Sequence, residues 1–120
     1  MKKLILIIGV LFITISVPAQ NKNAKVQFEV DGICGMCKKR IEKVAYKTKG
    51  VKYASWDVKT HQLSLIIDER KTTLKKIKVK IAAAGHSTKE VECSQEAYDN
   101  LDPCCKYKDK KVIDDHKIDK

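Results

Sequence analysis

Proline is almost missing from this chain of 120 residues, which has only Pro18 and Pro103. A thioredoxin-like redox domain sets a cis-proline against its thiol pair, and no proline stands in the middle of this chain to take that role. Aromatic residues make up 6%, with no aromatic-rich stripe on which bases could stack, so nucleic-acid binding is excluded as the meaning of the positive charge. No apolar run reaches the roughly 20 residues of a membrane span. The chain is also too short for a two-lobed enzyme with a substrate cleft between domains. It is rich in base, with 25 Lys and Arg against 15 Asp and Glu and a net charge of +10. It is also rich in cysteine, with five, an odd number that cannot all pair within one molecule.

Lys2 and Lys3 precede an apolar run from Leu4 to Val17, and Val17-Pro18-Ala19 presents small residues to a signal peptidase. Residues 1–19 therefore read as a secretory signal cut after Ala19. The mature chain then has no retained membrane span, carries +8, and is expected to be periplasmic or secreted.

Beyond the leader, Lys25 to Asp31 alternates, with Val26, Phe28 and Val30 on one face of a strand. Gly32 to Met36 forms a loop. From Cys37 the period becomes helical, with Ile41, Val44 and Ala45 on one side until Gly50. Val51 to Lys59 and Leu63 to Ile67 alternate about the turn at Thr60-His61, giving a hairpin. Thr72 or Thr73 caps a second helix with Leu74, Ile77, Ile81 and Ala84 on one face, and Gly85 ends it. Ser87 to Cys93 reads as a weak fourth strand. The order βαββαβ predicts an α+β, ferredoxin-like sandwich: a four-stranded antiparallel sheet covered on one face by two helices. Residues 93–120 form a polar tail, with a short helix over Gln95 to Leu101 and disorder from about Tyr107.

Cys34-Gly35-Met36-Cys37 lies where the first strand hands over to the first helix. Backbone N–H groups at a helix start favour thiolate, so both sulfurs are expected to be more acidic than a free cysteine. Two thiolates from one short loop suit Cu(I) or another soft heavy-metal ion in low coordination; zinc in a structural site wants four ligands. Lys38, Lys39 and Arg40 oppose the helix dipole but fit beside the net anion of two thiolates and one monovalent cation. The same CxxC also serves thiol–disulfide exchange.

These residues resemble the heavy-metal-associated domain family of copper chaperones, copper-transporting ATPase modules and periplasmic mercury-binding proteins. The likeness rests on Val30-Asp31-Gly32-Ile33-Cys34-Gly35-Met36-Cys37, on Arg40-Ile41-Glu42, on Gly50-Val51 and on Ala84-Gly85, and spans residues 25–92. It implies that Cys34 and Cys37 are the metal ligands. The family commonly places two residues, one of them methionine, between the loop glycine and the first cysteine. Here only Ile33 stands there and takes the packing role, while Met36 falls between the cysteines as a thioether ligand or an exposed side chain. The fold also sets the loop holding His86 beside the metal loop, making His86 a third ligand, a gate on ligand exchange, or simply an exposed loop histidine.

A fourth strand would carry Cys93 to the far pole, about 20 Å from the metal loop. A helical Ser94–Pro103 would bring Cys104 and Cys105 roughly 15 Å back. This second thiol pair either joins the first around a metal or forms a disulfide with Cys93. His61 and His116 are assigned no role. The lysines on the two helices either dock an acidic partner or solvate an exposed face.

The expected function is non-enzymatic: binding of Cu(I), or of Hg(II), and transfer by thiolate exchange, with a metal-transporting membrane ATPase or efflux component as partner. A thiol–disulfide oxidoreductase and an accessory metal-sensing subunit of an efflux system are the alternatives.

Overall fold

The computed structural model describes residues 20–118; the expected leader, 1–19, lies outside them. Three strands, β1 (Ala24–Glu29), β2 (Val51–Trp56) and β3 (Gln62–Ile67), form an antiparallel sheet in the order β1-β3-β2. The central strand β3 alternates strictly, burying Leu63, Leu65 and Ile67. In register with them, Val26 and Ala54 flank Leu65, while Phe28 and Trp56 flank Leu63. Such cross-strand neighbours on the covered face fix the register, because a one-residue slip would turn the apolar set to solvent.

Helices α1 (Gly35–Lys47) and α2 (Leu74–Ala83) cover that face. Cys37, Ile41 and Ala45 recur every fourth residue along α1 and are buried; Ile77 and Ile81 do the same on α2. Of the two candidate caps, Thr73 is used: its hydroxyl accepts from the Lys76 N–H at 3.2 Å. The core holds Val30, Ile41, Trp56, Leu63, Leu65, Ile77 and Ile81, each at most 2% exposed.

Two expectations fail. There is no fourth strand among the described residues, because Ser87 to Cys93 folds back on itself. The Thr88 N–H bonds the Val91 carbonyl at 2.9 Å, and Ser87 Oγ accepts from the Cys93 N–H at 2.9 Å. Only the Ser87 carbonyl reaches toward the sheet, accepting from the Asp31 N–H at 2.9 Å. Short polar side chains here satisfy the backbone locally and displace the ladder. Cys93 consequently stays near the metal loop and not at the far pole, with its sulfur 3.5 Å from the Tyr107 hydroxyl.

Nor is the tail disordered from Tyr107. It continues as α3 (Gln95–Asp99), where the short tail helix was expected, then a 3-10 turn (Pro103–Cys105) and the unexpected α4 (Lys110–Ile118), so the described residues hold four α-helices and not only the two of the sandwich. Leu101, 5% exposed, and Cys105, fully buried, belong to the same core as the sheet and α1. Burying one leucine stabilises by about 1.5–3 kcal/mol, enough to hold a short segment that lacks a sheet or a long helix of its own. Gly85 makes room for it. At φ +103° the backbone is left-handed, and a Cβ there would stand 2.7 Å from Leu101 Cδ2 and 2.8 Å from the Ala97 carbonyl oxygen.

Candidate metal centre

The metal loop is laid over Trp56. The Trp56 indole N–H donates to the Val30 carbonyl at 3.0 Å, and a Cβ on Gly32 would come within 2.9 Å of the ring. Glycine is therefore needed at 32 for the loop to lie this close. Ile33 packs half-buried against the core, the role expected of it. Helix α1 begins at Gly35, two residues earlier than its periodicity suggested, and Cys34 is its N-cap residue.

The two sulfurs of the loop are 3.4 Å apart. Burial pushes the Cys34 thiol up, but the backbone N–H groups of Cys37 and Met36 and the thiols of Cys37 and Cys105 favour its thiolate, and the net is below the ordinary value. Cys37 goes the other way, to about 12, because it is buried and its neighbours compete for the same proton. The expectation of two acidic thiols is thus corrected to one, Cys34, beside a thiol, Cys37, that gives up its proton when an ion replaces it.

The tail brings further sulfur. Cys105 Sγ lies 3.5 Å from Cys34 Sγ and 4.0 Å from Cys104 Sγ, and the Cys104 thiol donates to the Met36 thioether at 3.2 Å. Cys34, Cys104 and Cys105 all lie within 4.8 Å of one another. All five cysteines are free, so neither Cys104 nor Cys105 is bonded to Cys93. Met36 is 46% exposed, at the rim of this cluster.

Of the three basic residues in the first turn, Arg40 is the one that serves the sulfurs. Its guanidinium donates to Asp102 Oδ2 at 2.8 Å and holds the tail against α1. Burial opposes its charge, but Cys105 and Asp102 more than restore it, leaving its pKa raised. Lys38 points elsewhere, to Glu42 and to the Trp56 carbonyl, both at 2.8 Å.

His86 is fully buried and does not join the sulfur cluster. Its Nδ1–H donates to the Asp31 carbonyl at 2.8 Å, just before the metal loop, while Nε2 faces the Arg40 guanidinium at 3.5 Å. Burial lowers its pKa to about 4, so the ring is neutral. The ligand reading of His86 gives way to a positioning one: both ring nitrogens are committed, and the residue pins the loop.

Tyr107 completes the enclosure. Its hydroxyl donates to the Gly85 carbonyl at 2.8 Å, and its ring stacks on His86 with centroids 5.7 Å apart. Tyr98 meets it edge-on at 5.2 Å. Leu101, Asp102 and Tyr107 escaped the sequence reading; the signal for them was a leucine and two tyrosines around Cys104-Cys105 in a segment otherwise dominated by charge. A cleft of about 590 Å³ beside Cys34, walled by Val58, His61, Ile113 and His116, leads from this centre to solvent.

With this geometry in view, the heavy-metal-associated domain family matches residues 27–87, just over half of the chain. The chain belongs to that family. Among solved structures it is similar to the CopZ metallochaperone, with 26% identity, a TM-score of 0.53, and coverage of 54% of this chain and 98% of that one. It is similar to the N-terminal soluble domains of Bacillus subtilis CopA, with 27% identity, a TM-score of 0.52, and coverage of 58% of this chain but 48% of that one. It is also similar to a copper-binding domain of a P-type ATPase, with 26% identity, a TM-score of 0.51, and coverage of 52% and 86%. No curated protein matches the chain. The shared part ends before Cys104 and Cys105, so the tail half of the cluster lies beyond what the family match describes.

Proposed function

We propose that this protein is a non-enzymatic, extracytoplasmic carrier of a soft heavy-metal ion, Cu(I) foremost, taken up at Cys34 and Cys37 and passed on by thiolate exchange. The observation that carries this reading is the position of Cys34. Its sulfur lies 3.4 Å from Cys37 and 3.5 Å from Cys105, at a helix N-terminus, with its thiolate favoured. Membership of the family and likeness to copper-binding structures support a soft metal.

Transfer follows from the exposure gradient. Cys37 is fully buried and Cys34 half-buried beside the open cleft. An acceptor thiolate adds to the ion from the cleft side, a three-coordinate intermediate forms, and Cys34 departs before Cys37. An ATPase or efflux component with an exposed thiol pair is the fitting acceptor. Among the described residues no helix is long and apolar enough to cross a membrane, and the apolar run at Leu4–Val17 supports export.

The same asymmetry, an accessible acidic thiol beside a buried one, gives a specific reason to carry thiol–disulfide exchange as the second reading. Competition titration of the reduced chain with Cu(I), Hg(II) and Zn(II) separates them. Tight binding of Cu(I) or Hg(II) that is lost in Cys34→Ser/Cys37→Ser supports the carrier. Weak binding, together with disulfide reduction far faster than by a free thiol, overturns it.

A further inference from the structure

Four thiols and one thioether meet at the loop end, more sulfur than one low-coordinate ion needs. Metal–thiolate bonds of about 2.3 Å, the length in zinc sites, allow two sulfurs on one ion to stand at most about 4.6 Å apart. Cys34, Cys104 and Cys105 come close to meeting that limit as a group, lying within 4.8 Å of one another, and Cys37 falls outside the group. Cys37 instead touches Cys34 at 3.4 Å, from the buried side. One ion therefore cannot collect all four thiolates without the chain moving, whereas two ions can divide them.

We propose that each chain binds two Cu(I) ions on one thiolate-bridged cluster. The inner ion is held by Cys37 and Cys34; the outer one by Cys104 and Cys105, with Met36 Sδ beside it. Cys34 is the bridge, since its sulfur is within reach of both Cys37 and Cys105. The neighbouring separations of 3.4, 3.5 and 4.0 Å all fall short of a linear pair; the 4.0 Å between Cys104 and Cys105 is the spacing that bonds of about 2.3 Å give at a trigonal centre, and the two shorter ones widen slightly as the ions enter.

The charge balance favours the second ion. Four thiols that each release one proton leave four negative charges, which two Cu(I) ions reduce to two. The Arg40 guanidinium lies beside the outer site, where its charge is matched by Asp102 at 2.8 Å, so the ion pair holds the tail in place without adding to the negative charge there. Met36 makes sense in this arrangement: a thioether is a neutral soft ligand, so it completes the outer site without adding charge. The adjacent Cys104-Cys105 pair then has a use that a mononuclear CxxC centre would not give it.

This inference rests on the carrier reading, and its test keeps the two apart. The reduced full-length chain is titrated with Cu(I) against a competing chelator, with the molecular mass measured at each stoichiometry. Two equivalents retained by a monomer are expected, with short copper–copper scattering in the X-ray absorption spectrum at two equivalents but not at one. Cys104→Ser should remove the second equivalent and keep the first. Met36→Leu, which leaves all four thiols in place, should weaken the second equivalent about 10-fold or more while sparing the first. One equivalent in both the parent and Cys104→Ser would overturn the cluster and leave the carrier standing. Two equivalents held only by a dimer would overturn a cluster within one chain. Retention of no Cu(I) at all would overturn both readings.

Discussion

The two halves of the sulfur cluster are built in opposite ways. Cys34 and Cys37 are held by regular structure: a strand, a loop laid over Trp56 and the first turn of a thirteen-residue helix. Cys104 and Cys105 sit on a three-residue 3-10 turn packed beside α1 and α4, held by Leu101 in the core, by Arg40 to Asp102 and by Tyr107 over His86. The first pair is positioned by backbone, the second by a few side-chain anchors. The contrast shows that a ligand can be placed within about 4 Å of another by a few side-chain anchors, without a strand or a long helix of its own. It also separates the two pairs experimentally, because damage to an anchor should reach only the second.

The largest effect belongs to the residue common to both halves. Cys34→Ser removes the bridging thiolate, and Cu(I) affinity measured by chelator competition is expected to fall by more than about 100-fold, beyond what outer-sphere substitutions cost. Cys104→Ser should leave the first equivalent within a few-fold of the parent. Equal losses in the two variants would erase the distinction between the halves.

Next in size is the core anchor. Leu101→Ala empties a buried position and is expected to cost about 2–5 kcal/mol in chemical denaturation. Since Leu101 packs on Gly85 and lies in the same core cluster as Cys105, the variant should also lose the outer Cu(I) while the inner one stays bound. Loss of stability with both ions retained would mean that the tail thiols find their place without this anchor.

The pH dependence probes the link between the halves, His86, which faces Asp31, Arg40 and Tyr107. Its folded pKa is lowered to about 4 by burial, against about 6.5 in an unfolded chain. Between those values the unfolded chain binds the proton and the folded one does not. The stabilisation is therefore complete above about pH 6.5 and is lost as pH falls toward 4, with a slope of up to about 1.4 kcal/mol per unit. Denaturation of the metal-free chain across this window should show that slope, and His86→Gln should flatten it.

Much of the first half could be read from the residues. Alternation in β3 and the fourfold spacing of Cys37, Ile41 and Ala45 report burial directly, because a face that meets the core must be apolar at the period of its backbone. Cys34 and Cys37 stood out by spacing at a strand–helix junction. The fourth strand was misread because Ser87, Thr88 and Val91 have strand-forming composition, while the decision lay in the side-chain bonds of Ser87 and Thr88. His86 looked like a ligand from its place beside the loop; that its ring nitrogens face Asp31 and Arg40 depends on contacts 46 and 55 residues away in sequence. The tail has no periodicity at all, and its order comes from single anchors that a pattern cannot reveal.

The smallest effect tests one of those anchors by a single atom. Tyr107→Phe keeps the ring on His86 and against Tyr98 but removes the hydroxyl that donates to the Gly85 carbonyl and accepts from the Ser87 N–H at 3.3 Å. Losing these neutral hydrogen bonds should cost about 1 kcal/mol, lowering the melting temperature by about 4–8 °C in a domain of this size. Because the ring still fills its place, both Cu(I) equivalents should remain. If the second equivalent were lost with so small a change in stability, the hydroxyl, and not the packing of the ring, would be what holds the tail thiols over Cys34.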